Sequence, residues 1–230
     1  MLDTEPTSAP TSPSVDSTAP LAESSWLELS TYLDAHGLVA GIDEVGRGAL
    51  FGPVVAATVV LPADALPKLM AAKIKDSKKL SSSRRTQLAQ QIGVLALDWK
   101  IGYASTAEID KLNILQATLL AMKRAVLKLK VQPTICLVDG NQLVKDLLIP
   151  QQTIVKGDER SLNIAAASIM AKVWRDDLVI RLASKYPMYD LENNKGYGSQ
   201  RHLLALQKYG PSSLHRLSFR PCQISVPSNE

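Results

Sequence analysis

Short apolar, β-prone runs that stop at glycine, proline or an acidic residue alternate with stretches of helical period, and this alternation constrains the chain more than any other feature. Leu38 to Gly41 and Val54 to Leu61 are rich in Val, Ile and Ala and bounded by Gly and Pro, as buried strands are. A third run lies near Leu97 to Ala104, a fourth at Thr134 to Val138 ending on Asp139-Gly140, and a short fifth at Thr153 to Val155 ending before Gly157-Asp158. A helix starts around Ser81. Ser105 and Glu108 form a capping-box pattern, and the apolar spacing of Leu112, Leu115, Leu119, Met122, Val126 and Leu129 predicts one continuous helix that Pro133 stops. Ser161 to Lys185 is helical again, and its Ala165-Ala166-Ala167 run is small enough to lie close against a sheet. Gln200 to Lys208 gives a last short helix. Strands first and helices alternating later predict an α/β layer with a mixed sheet.

The 230 residues, 46% of them apolar and 21% charged, suit one folded domain. Residues 1–24 stand apart: they carry Asp3, Glu5, Asp16 and Glu23 but no Lys or Arg, and are dense in Ser, Thr and Pro. Such a composition cannot bury enough surface to offset the entropy of ordering, so a disordered tail over 1–24 and a folded domain over 25–230 are expected. No apolar run approaches the roughly 20 residues of a membrane span. The N-terminus also lacks the basic start and apolar stretch of a secretory signal, so a cytoplasmic protein with no membrane contact is expected. Beyond the tail, 26 basic residues face 18 acidic ones, a net charge of +8 that suits a polyanionic partner or simply a solvated surface. Cys136 and Cys222 form no CxxC pair and no metal-ligand spacing.

Four carboxylates mark the ends of the predicted strands: Asp43 and Glu44 after the first, Asp139 after the fourth and Asp158 after the fifth. Ligands of open α/β sheets bind beyond strand ends, and carboxylates gathered there repel one another unless cations neutralise them. Hard divalent ions such as Mg²⁺ or Mn²⁺ take oxygen ligands, and two of them about 3.5–4 Å apart can activate water and stabilise the leaving oxygen of a phosphodiester. Each acid has a plainer alternative: Asp158 as a helix cap, Asp139-Gly140 as a turn, Asp43 and Glu44 as solvated charges.

Gly46-Arg47-Gly48 with Gly52 spells GxGxxxG, yet Pro53 and a β-prone run follow where a dinucleotide site needs a helix. Glycines flanking an arginine still allow close backbone approach to a ligand, with Arg47 able to grip phosphate or sugar oxygens. His36, His202 and His215 sit in no nucleophile motif and GxSxG is absent, which excludes ordinary serine-hydrolase chemistry.

The run Gly41-Ile42-Asp43-Glu44-Val45-Gly46-Arg47-Gly48, followed by Gly52 to Ala57, resembles the opening motif of ribonuclease HII. Asp76-Ser77-Lys78-Lys79, Glu108 to Ile114, Asp139-Gly140-Asn141, Lys156-Gly157-Asp158, Ala165 to Asp176, Lys195-Gly196-Tyr197-Gly198 and His215-Arg216 with Ser218-Phe219 resemble that family in the same order. The resemblance implies a ribonuclease H-like fold, a mixed sheet of about five strands flanked by helices with a small helical C-terminal part. It implies that Asp43, Glu44, Asp139 and Asp158 are catalytic acids holding two divalent ions, Mn²⁺ or Mg²⁺. It implies that Gly46, Arg47, Gly48 and Tyr197 read the ribonucleotide junction. The implied substrates are nucleic acids: RNA paired with DNA, and single ribonucleotides in duplex DNA, cut on the 5′ side to leave a 3′-hydroxyl and a 5′-phosphate. A monomer is expected. Arg47 and Asp158 fit this class better than the sister class HIII, in which a lysine and a glutamate are typical. Trp174 and Asp177 depart from the pattern without touching an assigned role. Lys78, Lys79, Lys195 and Arg201 are candidates for phosphate contacts. A non-catalytic nucleic-acid-binding module and a junction resolvase are the competing readings, and the presence of all four acids argues against the first.

Removing residues 1–24 should leave kcat/KM for a ribonucleotide-containing duplex unchanged; a tenfold drop would give the segment a working role.

Overall fold

The computed structural model describes residues 37–74 and 80–223, so the 1–24 tail, His36 and the Asp76 to Lys79 segment lie outside the described residues. The strands are β1 (Val39–Val45), β2 (Val54–Val60), β3 (Asp98–Ala104), β4 (Ile135–Asp139) and β5 (Gln151–Ile154). The helices are α1 (Ala65–Ala71), α2 (Ser82–Leu95), α3 (Thr106–Leu112), α4 (Ile114–Leu127), α5 (Gly157–Arg160), α6 (Leu162–Ala183), α7 (Leu191–Asn194) and α8 (Gln200–Tyr209). The five strands form one mixed sheet in the order β3-β2-β1-β4-β5. β1, β2 and β3 are antiparallel neighbours, whereas β4 runs parallel to β1 and β5 parallel to β4.

Apolar residues on both faces of the sheet explain the layers. Ala57 and Val59 point into a core with Leu88 and Ile92 of α2 and Ala165, Ala166 and Ile169 of α6. Ile42, Val54 and Ala56 point the other way, against Ala117, Ala121 and Met122 of α4. On each face a glycine lets a helix backbone approach: a Cβ at Gly41 would lie 2.1 Å from the Asn163 carbonyl carbon of α6, and one at Gly102 would lie 2.1 Å from the Ala121 oxygen of α4. Asn163 fastens the first contact by donating from Nδ2 to the Val39 carbonyl, 2.8 Å away. A smaller core around Phe51, Val179, Tyr189, Leu191 and Leu206 holds the C-terminal helices against the end of α6. No helix of the described residues is long and apolar enough to cross a membrane.

The expected α/β layer is observed; α1 has no counterpart in the sequence reading, β5 spans Gln151–Ile154 rather than Thr153 to Val155, and three further differences bear on the site. β1 extends to Val45, so Asp43 and Glu44 lie inside the strand, opposite Ala57 and Ala56, and not after it. The ladder continues through the acids because its hydrogen bonds are backbone bonds, indifferent to the side chain's charge. The single helix expected from Ser105 onward is two, because Asn113 turns the chain with φ 71° and its Oδ1 accepts from Gln116 N at 3.1 Å to start α4. Leu129 lies past the end of α4. Asp158 sits in a short helix of its own, α5, and Ser161 Oγ caps α6, accepting from Ile164 N. That removes the plain capping role for Asp158. The capping box at Ser105 is present as expected, and its Glu108 also pairs with Arg124 at 2.6 Å.

Gly41→Ala should therefore strike backbone and cost about 3 kcal/mol, the upper end for overpacking; the urea unfolding midpoint measures it, and an unchanged midpoint would refute the contact.

Candidate active site and metal centre

β1 and β4 are adjacent and parallel, so the acids near their C-terminal ends meet. One carboxylate oxygen from each of Asp43, Glu44 and Asp139 lies within 4.8 Å of the others. Asp158 stands outside this close trio but faces the same cleft, a space of about 480 Å³ also lined by Arg85, Ser168 and Lys172. Local hydrogen bonds hold the carboxylates: Asp43 Oδ1 accepts from Glu44 N at 2.7 Å, and Asp139 Oδ1 accepts from Gly157 N at 2.6 Å, fastening β4 to α5. Ser168 of α6 hydrogen-bonds the Asp43 carboxylate.

Burial, and then the charges of Glu44 and Asp139, hold the Asp43 carboxyl well above the usual carboxylate range. Burial also raises Glu44, against the opposing pull of Arg47, whose Nη1 lies 3.3 Å from Glu44 Oε1. One buried and two half-buried carboxylates that repel one another are the donor chemistry of a hard divalent cation, which would relieve both the burial and the repulsion.

Beside the cleft lies the turn after β1. Gly46 has φ +88°, and a Cβ there would come 2.2 Å from Arg175 Nε, whereas a Cβ at Gly48 would meet nothing within 4 Å. Arg47 is exposed, and its carbonyl accepts from Arg216 Nη1 at 2.8 Å. Tyr197 comes from the turn between α7 and α8, with Lys172 Nζ 5.6 Å and Arg175 Cζ 5.4 Å from its ring centre. Lys172 lines the acidic cleft too and so joins Tyr197 to the carboxylates. Of the proposed phosphate contacts, Lys78 and Lys79 lie outside the described residues. Lys195 turns its Nζ to the Glu192 carbonyl, and exposed Arg201 lies 3.8 Å from Asp190; neither lines the acidic cleft.

Sequence reasoning gave no role to Ser168, Lys172 or Arg85 in the cleft, nor to Arg175 and Arg216 beneath it. Both arginines are fully buried. Arg175 donates to the carbonyls of Pro53, Lys195 and Phe51 at 3.2, 2.9 and 3.0 Å, and Arg216 to those of Gly52 and Arg47 at 3.0 and 2.8 Å. They thereby tie the Gly46 turn to the segment that carries Tyr197. The available signal was a charge inside an apolar helical run, which for Arg175 reads equally well as a solvated position.

A five-stranded mixed sheet flanked by helices and delivering carboxylates from neighbouring parallel strands into one cleft defines a ribonuclease H-like hydrolase. The ribonuclease HII family model matches residues 40–222. A ribonuclease HII of Nostoc sp. is 75% identical over 206 residues, covering 89% of this chain and 92% of the relative, and one of Trichodesmium erythraeum is 62% identical over 189 residues, covering 82% and 90%. Among solved structures, the ribonuclease H2 of Pyrococcus horikoshii superposes with a TM-score of 0.71 at 25% identity, covering 81% of this chain and 95% of that one. Bst-RNase HIII in complex with Mn²⁺ shares the fold, with a TM-score of 0.67 at 18% identity over 83% of this chain and 71% of that one. The chain belongs to the ribonuclease HII family, and it is an endoribonuclease. That family cuts the RNA strand of RNA–DNA hybrids and depends on divalent metal.

A carboxyl raised by folding stabilises the protein below its unfolded pKa, and that contribution is lost as pH rises through the folded value. The metal-free melting temperature should thus fall as pH rises through the elevated range of Asp43. Asp43→Asn should flatten that fall, raise the metal-free melting temperature at pH 7 and abolish most of the gain on adding Mn²⁺. Differential scanning fluorimetry decides, and an Asn variant with the full Mn²⁺ gain would place the ion elsewhere.

Proposed function

We propose that this protein, acting as a cytoplasmic monomer, hydrolyses the RNA strand of RNA–DNA hybrids and incises duplex DNA on the 5′ side of single embedded ribonucleotides, leaving a 3′-hydroxyl and a 5′-phosphate. The observation that carries the reading is the single cleft shared by Asp43, Glu44, Asp139 and Asp158, next to a glycine-flanked arginine and a tyrosine. The four acids would hold two divalent ions, Mn²⁺ or Mg²⁺, whose chemistry when bound is to activate water and to neutralise charge on the leaving oxygen.

The chain's own residues supply orientation. Asp43 is held by Ser168 and by the Glu44 amide, Asp139 by the Gly157 amide, so the carboxylates are set before substrate arrives. Lys172, bonded to Asp176 at 2.8 Å, adds a positive charge on the cleft wall facing an incoming phosphate. The 2′-hydroxyl that distinguishes one ribonucleotide from surrounding DNA both donates and accepts a hydrogen bond. Gly48, open to solvent and lacking a side chain, lets backbone groups of the Gly46-Arg47-Gly48 turn approach that hydroxyl, and Tyr197 offers a ring to the sugar and a hydroxyl for hydrogen bonding. A site built to bond a hydroxyl rejects the analogue that lacks it, because its own polar groups would be left unpaired.

Labelled duplexes carrying one ribonucleotide, a continuous hybrid or a four-way junction separate this reading from a resolvase, which would cut only the last. On the first substrate, Asp139→Asn should lower turnover by orders of magnitude. Tyr197→Phe should lose about 1–3 kcal/mol of transition-state stabilisation and Tyr197→Ala more. Wild-type kcat/KM from a folded Tyr197→Ala protein would make Tyr197 a packing residue.

A further inference from the structure

Behind Tyr197 lies a buried pair of imidazoles that the chemistry above does not use. His202, in the first turn of α8, and His215, in the segment after that helix, are 0% and 1% exposed, and their Nε2 atoms meet at 3.0 Å. At one end of the pair, His202 Nδ1 lies 2.9 Å from the Tyr197 carbonyl, which can only accept, so that nitrogen carries a proton. At the other end, His215 Nδ1 lies 2.9 Å from the Ser212 amide, which can only donate, and 2.8 Å from the Ser212 hydroxyl, which can do either; a bare nitrogen accepts from both, whereas a protonated one would set its hydrogen against the amide's. One proton remains between the rings, on His215 Nε2, and it points at the bare Nε2 of His202. Both rings are neutral and in opposite tautomers, fixed by backbone at each end. Burial favours the same state: it lowers the pKa of both rings, that of His215 to about 4, and a proton on His202 would lower His215 further.

The two ends belong to the two parts of the substrate site. His215 forms a β-bridge with Phe51 and stacks edge-on against its ring at 5.2 Å. On either side of it, the Leu214 carbonyl accepts from Gly52 N at 2.8 Å and Arg216 N donates to the Leu50 carbonyl at 3.0 Å. The His215 ring is thus registered to the residues that follow the Gly46-Arg47-Gly48 turn. Tyr197 is held on its N-terminal side by the neighbouring Gly196 carbonyl, which accepts from Leu50 N at 2.8 Å. His202 takes hold of it on the other side.

We propose that the His202–His215 pair is a strut that fixes the distance from Tyr197 to the Gly46-Arg47-Gly48 turn, making both histidines positioning residues for reading the ribonucleotide. The inference rests on the assignment of Tyr197 as a reader of the sugar. An asparagine at 202 can place its amide nitrogen where Nδ1 stands, keeping the Tyr197 contact and losing His215. A glutamine can reach the place of Nε2, keeping His215 and losing Tyr197.

Each of His202→Asn and His202→Gln should therefore lower kcat/KM for a duplex with one ribonucleotide by about tenfold or more, since small remote misplacements of a reacting geometry cost up to about a hundredfold. In a Tyr197→Ala background neither should lower it further. The Mn²⁺-induced gain in melting temperature, which reports the acid cluster, should be unchanged in both. Wild-type kcat/KM in the His202 variants, or the same loss in both backgrounds, overturns the strut. If Tyr197→Ala itself cuts like wild type, the reader assignment falls and the positioning role with it; if Tyr197→Ala is impaired and the His202 variants are not, the strut falls alone. ¹⁵N NMR of the wild-type rings at pH 7 tests the geometry without any variant. Two neutral rings of opposite tautomer are expected, and a cationic ring or two like tautomers would refute it.

Discussion

Helix α6 can touch strand β1 backbone to backbone, at Asn163 and Ile164, only because residue 41 ends at Cα, and the methyl groups of Ala165 to Ala167 continue in the core beside it. The α6 side of the cleft is set by that contact. Along its 22 residues α6 sends Ser168 to Asp43, Lys172 to the wall between the acids and Tyr197, and Arg175 beneath the turns that flank them. A helix held a residue's width further from the sheet would carry all three away together. Packing and chemistry therefore share one determinant, and the side chains that satisfy the first are the smallest in the protein.

The charges around the cleft combine close pairs, Glu44 with Arg47 and Asp176 with Lys172, with a crowding of like charge. Acids crowd the end of the parallel strands, where burial and mutual repulsion leave Asp43 poorly disposed to ionise. On the other side of the Gly46 turn, Arg175 and Arg216 are buried against carbonyl oxygens, and burial followed by the charge of Arg175 brings Arg216 down to about 9. Arg216 Nη2 is buried without a hydrogen-bond partner among the described residues. Such arrangements cost stability that an apolar substitute would not, and they persist where position matters more than stability. Here the arginines hold in place the carbonyls of the turns beside the cleft.

Much of this was legible in the sequence, and the limits have physical reasons. Five apolar runs gave five strands, and the capping box at Ser105 gave the start of a helix, because both signals are local. The break at Asn113 was hidden because the apolar spacing continues across it: Leu112 and Leu115 keep a helical interval while the backbone turns between them. The acids were found as a set, but Asp43 and Glu44 were placed beyond a strand that in fact contains them, since a hydrophobic run ends at the first charge and a ladder need not. Asp158 reaches the cleft from its own short helix, a feature too brief to leave a period. His202 and His215 sit in no nucleophile motif. Their relation appears only when the chain turns back after α8 and brings together two rings 13 residues apart.

Gly46 and Gly48 belong to one tripeptide yet answer to different constraints. The first is pressed against a buried guanidinium in a left-handed conformation, and the second faces open space. Any side chain at 46 would be excluded by the folded protein itself. A methyl group at 48 would meet nothing within 4 Å among the described residues. In a library of variants scored both for soluble yield and for cleavage, the two positions would thus fall in different columns. Intolerance at 46 would measure the architecture, and intolerance at 48, two residues away, would measure how closely the substrate comes to the backbone.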